Sequence, residues 1–120
     1  MGSGKPASIL EWSITTAMEY RFIEGRLFPL RTEEERRPLL QRLSRIEGQV
    51  RGVRQMIEED RYCLDEIQQI NAITSAMREV ALQVISDHLN ASVRFAVDHQ
   101  GGAVAVDEML RVLRAALKQP

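Results

Sequence analysis

From Thr32 onward, apolar residues recur with helical spacing. Leu39, Leu43, Ile46, Val50, Val53 and Ile57 step by four, three, four, three and four. Such a heptad seam predicts a long amphipathic helix built to pack on other helices. "TEEER" supplies an N-cap threonine and acids for the positive end of the helix dipole. Pro38 lies inside the run, which places the start of the continuous helix near it rather than at Thr32. The helix is expected to end around "EEDRY". A second helix is expected from about Tyr62 to Ala96, and a short third one from Val106 to Leu117. "HQGG", from His99 to Gly102, reads as the turn between them, with glycines free to take positive φ. No strand pattern stands out, so the expected class is all-α: a three-helix protomer with two long helices and a short C-terminal one.

The second helix carries Leu64, Ile67, Ile70, Ile73, Met77, Val80, Ala81, Val84, Ile85 and Leu89, which cover more than one stripe. A helix apolar over so much of its circumference needs burial on several sides. A single small bundle cannot provide that, so self-association is expected.

Residues 1–30 differ from the rest. They hold Trp12, Tyr20, Phe22 and Phe28 without a sustained period. "MGSG" resembles a leader, "IEGR" matches a protease cleavage tag, and Met18 is an alternative start. This stretch is set aside as a flexible arm, leader or mis-start, with 31–120 as the functional domain.

Composition narrows the classes. A length of 120 residues suits one domain, and a formal charge of −1 singles out no partner. One cysteine excludes an intrachain disulfide. No stretch reads as a membrane span or a signal peptide, so a cytoplasmic protein is expected. The chain has no acid/base pair or phosphate loop that would suggest an enzyme.

That cysteine, Cys63, opens the second helix. Stepping from it along the heptad reaches Ile67, Ile70, Thr74, Met77, Ala81, Val84 and then His88. At a rise of about 1.5 Å per residue the two ends lie roughly 37 Å apart, too far to share an ion within one chain. Two antiparallel copies crossing near Ser75 and Ala76 would bring Cys63 of one beside His88 of the other, twice per dimer. A thiolate and an imidazole suit a soft or borderline ion such as Cu(I) or Zn(II). They also suit an activated nucleophile. Equally, a cysteine on an apolar stripe is often a small core residue.

A second cluster is basic. Six arginines and one acid lie between Arg36 and Arg54. Arg42, Arg45 and Gln49 share one helical face off the seam, a pattern that can grip phosphates and read bases. A solvated face pairing with acids of neighbouring helices is the competing explanation.

"RLSRIEGQVRGVRQMIEEDRYCLDEIQQINAI", followed by "DHLNAS", closely resembles the bacterial copper-, nickel- and formaldehyde-responsive repressors of the CsoR/RcnR/FrmR type. The resemblance spans about Thr32 to Lys118. It implies an antiparallel helical dimer that assembles to a disc-like tetramer. It also implies an inducer site formed by Cys63 and His88 from different chains, with Tyr62 and Glu108 beside the ligands. Arg42, Arg45 and Gln49 match positions that contribute to operator binding.

The departures are informative. Copper sensors carry a cysteine four residues after the histidine, where this chain has Ser92, a hard and poor donor for Cu(I). The additional histidines of nickel and cobalt sensors are absent, as is the second thiol of sulfide sensors. Formaldehyde sensors keep the cysteine and lack a thiol at the Ser92 position, as this chain does. They also use an N-terminal proline amine, whereas the nitrogen of Pro29, as the sequence is written, is an internal amide. The expected function is a DNA-binding repressor released by a thiophilic ion, first Cu(I), or Zn(II) with an added ligand. The alternatives are a formaldehyde-responsive repressor using Cys63 and a structural bundle with no sensing role.

Overall fold

The structure is a computed structural model and describes residues 18–118. Two short strands, β1 (Glu19–Ile23) and β2 (Arg26–Leu30), precede three helices: α1 (Glu33–Glu58), α2 (Cys63–His99) and α3 (Gly102–Leu117). The two long helices and the short last one agree with the sequence pattern. The strands are an addition to it: the protomer is mostly helical, as expected, with a small two-stranded hairpin ahead of the three helices.

The hairpin is antiparallel, with Ile23 opposite Arg26 and Glu19 opposite Leu30. Its loop is Glu24 (φ 52°) and Gly25 (φ 76°). Both being left-handed gives the turn whose twist matches that of the flanking strands. The stretch set aside as an arm therefore holds, from Met18 on, regular and packed structure. The remainder of that stretch, including Trp12, lies outside the described residues.

Contacts divide the chain into two units, with α2 contributing to both: Thr32–Val84, and the described residues up to Arg31 with those from Ile85 on. In the first, Leu39 and Ile46 of α1 pack with Val80 of α2, joined by Leu43, Ile73 and Ala76. This is the N-terminal half of the heptad seam. Its C-terminal half stays open, with Val50 and Ile57 exposed.

In the second unit the core is Met18, Leu27, Ala91, Phe95 and Ala105. Phe95 stacks with Phe22 at 4.6 Å and with His99 at 4.8 Å between ring centroids. A lone two-stranded hairpin is marginal in water, so this docking is what holds it. Tyr20 donates to Asp98 at 3.0 Å. Burial, then that carboxylate, raises the phenol above its usual range.

Helix α1 begins at Glu33, ahead of Pro38, contrary to expectation. Thr32 accepts from the Glu35 N–H while Glu35 accepts from the Thr32 N–H, a complete capping box. Together with three acids in the first turn, this outweighs the one helical bond that Pro38 cannot donate. Both long helices end alike. Arg61 N–H reaches Met56 O at 2.9 Å, and Gly101 N–H reaches Ala96 O at 3.2 Å. The left-handed residues in these motifs are Asp60 and Gln100, not the glycines expected of "HQGG".

Candidate functional site

His88, on α2, points its Nε2 at Oε1 of Glu108, on α3, at 2.7 Å. The other oxygen of Glu108 accepts the main-chain N–H of Leu27, on β2, at 3.1 Å. Glu108 is only 5% exposed, and these two bonds give its buried carboxylate a partner for each oxygen. A carboxylate only accepts, so neutral His88 carries its proton on Nε2 and leaves Nδ1 with a bare lone pair. Beside it, the buried Asp87 pairs with Arg31 at 2.7 Å. His88 and Glu108 line a cavity of about 440 Å³ with Arg26, Leu27 and Phe28 of the hairpin and Arg111 of α3. Placing these side chains together requires α2, α3 and β2 at once.

The other expected site residues are distributed as follows. Cys63 is exposed at the first position of α2. Tyr62, just before it, is 70% exposed, and its carbonyl takes the N–H groups of Asp65 and Glu66. Ser92 is buried, and its hydroxyl donates back to the His88 carbonyl at 3.0 Å. Thus Glu108 and Ser92 sit against His88, whereas Cys63 belongs to the other unit. No group of three or more His, Cys, Asp and Glu side chains able to hold an ion occurs among the described residues.

The basic face is also laid out in one place. Arg42, Arg45 and Gln49 line a depression of about 360 Å³ with Ile46, Ala76 and Glu79. Gln49 Oε1 is buried there with no hydrogen-bond partner. Among the described residues neither Arg42 nor Arg45 is in an ion pair. Glu79, in the same depression, is the acid that lies with them.

Sequence reasoning missed the contributions of Leu27, Arg31 and Asp87. The first is a backbone donor and leaves no mark in the residue letters. The pair of Arg31 and Asp87 had a fainter signal, an acid beside a candidate ligand.

Comparison with known proteins turns this geometry into an assignment. Residues 35–115 match the family model described as "Metal-sensitive transcriptional repressor". The chain belongs to this family. Its members are transcriptional repressors rather than enzymes. The copper-sensing transcriptional repressor CsoR of Bacillus subtilis (strain 168) is 41% identical over 88 residues, which are 73% of this chain and 87% of that protein. The copper-sensing transcriptional repressor RicR of Mycobacterium tuberculosis is 55% identical over 60 residues, 50% of this chain and 62% of that protein. Among solved structures, that of the copper-sensing repressor CsoR with Cu(I) from Geobacillus thermodenitrificans NG80-2 matches with a TM-score of 0.69 and 38% identity. The match covers 80% of this chain and all of that one. The CsoR-type resemblance is thus borne out, and with it the reading as a metal-sensitive repressor. No helix among the described residues is long and apolar enough to cross a membrane.

Proposed function

We propose that this repressor binds operator DNA as a helical homotetramer and releases it when Cu(I) occupies a site made of Cys63 from one subunit and His88 from an antiparallel partner. Residues 31–120 would form the sensing and DNA-binding domain, acting in the cytoplasm where the thiol stays reduced. One observation carries the reading. Among the described residues nothing covers the stripe that starts at Cys63 and leads towards His88: Ile67, Ile70, Met77 and Val84 are all exposed. An apolar stripe of that length asks for a partner, and a two-fold antiparallel copy satisfies it while pairing the two ends.

The donor set fits a soft ion. Cys63 is accessible, and the Nδ1 of His88 is free because Glu108 holds Nε2. When bound, Cu(I) supplies an acceptor for one thiolate and one imidazole. Zn(II) ordinarily wants four ligands, two more than this pair provides. Ser92 does not add one, since its hydroxyl is hard and already engaged with the His88 carbonyl. Glu108 orients the imidazole, and Tyr62 adjoins the thiol in sequence. Relatives named as copper sensors, and the one solved with Cu(I), support the choice of ion.

On the DNA side, Arg42 and Arg45 would contact phosphates, with Gln49 beside them offering an unused amide oxygen. Release follows from linkage: the ion binds better to the arrangement that holds DNA poorly, and a coupling of ~1–3 kcal/mol makes a usable switch.

Native mass spectrometry of the reduced protein, alone and with Cu(I), Zn(II) or formaldehyde, tests this directly. We expect a tetramer that takes up one Cu(I) per chain. A monomer would contradict the proposal. So would a protein that ignores Cu(I) and instead gains the mass of a methylene bridge at Cys63, as the formaldehyde-responsive alternative requires.

A further inference from the structure

We infer that the β-hairpin is a positioning element of the inducer site: through the main-chain N–H of Leu27 it holds the Glu108 side chain in place, and Glu108, held there, engages Nε2 of His88 and leaves the other nitrogen free. The relay itself rests on this chain's own geometry. Only its consequence for metal rests on the function proposed above.

The two-residue loop makes Ile23 and Arg26 the first hydrogen-bonded pair of the hairpin. The next pair, Phe22 and Leu27, then exchanges no ladder bonds, and the Leu27 N–H faces outward. It is spent on Glu108 Oε2 at 3.1 Å. That contact leaves Oε1 for His88 Nε2 at 2.7 Å. The strand is itself pinned, since Arg111 donates to the carbonyl of Gly25 at 3.0 Å and Leu27 is buried in the core. The donor is therefore held in place from both sides.

A carboxylate has two equivalent oxygens and would accept from His88 in either orientation. A glutamine does not have that symmetry. In E108Q the Leu27 N–H demands the amide oxygen, which turns the amide NH2 towards His88 Nε2. That nitrogen must then accept, and the proton of the neutral imidazole moves to Nδ1. The hairpin thus predicts that a nearly isosteric change inverts the histidine tautomer. It further predicts that removing the Leu27 N–H lets the glutamine turn round and restores the original one.

The experiment is 15N NMR of histidine-labelled, reduced, metal-free full-length protein, with H99Q distinguishing the two histidines. Wild type should show Nε2 protonated at His88, and E108Q should show Nδ1 protonated. E108Q/L27P should return towards Nε2, because proline lacks the donor and is tolerated at an outward-facing edge position. E108Q/L27A keeps the donor while shortening the side chain, and should behave as E108Q does. An E108Q protein with the proton still on Nε2 would overturn the inference, as would E108Q/L27P or E108Q/L27A departing from these patterns. If E108Q/L27P does not fold, the single variant and E108Q/L27A still decide. Cu(I) affinity separates the two levels: E108Q should bind roughly 10–100-fold more weakly. Inverted tautomers with unchanged Cu(I) affinity would uphold the relay and reject His88 as a ligand.

Discussion

Ser92 stands one turn beyond His88, where the resemblance to copper sensors implies a cysteine. Its hydroxyl sits one turn above His88 and bonds the His88 carbonyl, so it is spent on the helix backbone. A cysteine at this position would bring a soft donor beside the imidazole. Ser92→Cys should therefore raise Cu(I) affinity, whereas Cys63→Ser should abolish tight binding; competition with a Cu(I) chelator measures both. An unchanged affinity in Ser92→Cys would mean that the ion lies elsewhere. At this scale the sequence was most informative where function depends on side-chain chemistry. Cys63 and His88 could be singled out from their letters and spacing, and Ser92 and Glu108 through the family resemblance. The Leu27 donor could not, because every residue except proline carries the same N–H.

Elements were legible where a period was long. Six seam positions over five steps announced α1, and the apolar run announced α2. Ends were harder, because a helix start is a contest between local terms. At Thr32 the capping box prevailed over Pro38. Removing the cap by Thr32→Ala should cost about 1 kcal/mol of stability. Denaturant unfolding would show it, and no loss at all would mean that the first turn is held by something other than its cap. The hairpin was missed although its signal was present. "FIEGRL" places Glu-Gly between β-forming residues, which is a two-residue turn signature. Reading "IEGR" as a cleavage tag removed it from consideration. The hairpin's stability also comes from Phe95, more than sixty residues away, a contact that no local pattern displays. Likewise α3 starts at Gly102 rather than Val106, since Ala105 is buried against Ala91 and Phe95 and is drawn into the helix by that packing.

At the scale of the whole molecule, surface left uncovered is as informative as the cores. Large apolar side chains along both long helices remain exposed, among them Val50, Ile57, Leu64, Ile67 and Met77. Their excess was visible in the sequence as apolar positions on too many faces of one helix, which is why assembly could be expected before any coordinates. The DNA-facing reading is tested at this scale too. Operator affinity should fall steeply as salt rises, and Arg42→Ala should weaken binding across sequences while lowering the salt slope by about one. A variant with unaltered affinity and slope in a fluorescence anisotropy titration would remove Arg42 from the interface. The central claim, a site divided between two chains, is tested most directly by subunit mixing. Cys63→Ser and His88→Ala proteins should each fail to bind Cu(I) tightly when alone. Unfolded and refolded together, they should regain one tight site per mixed dimer, because one chain keeps the thiol and its partner keeps the imidazole. Mixed dimers that form yet bind no Cu(I) would contradict the account.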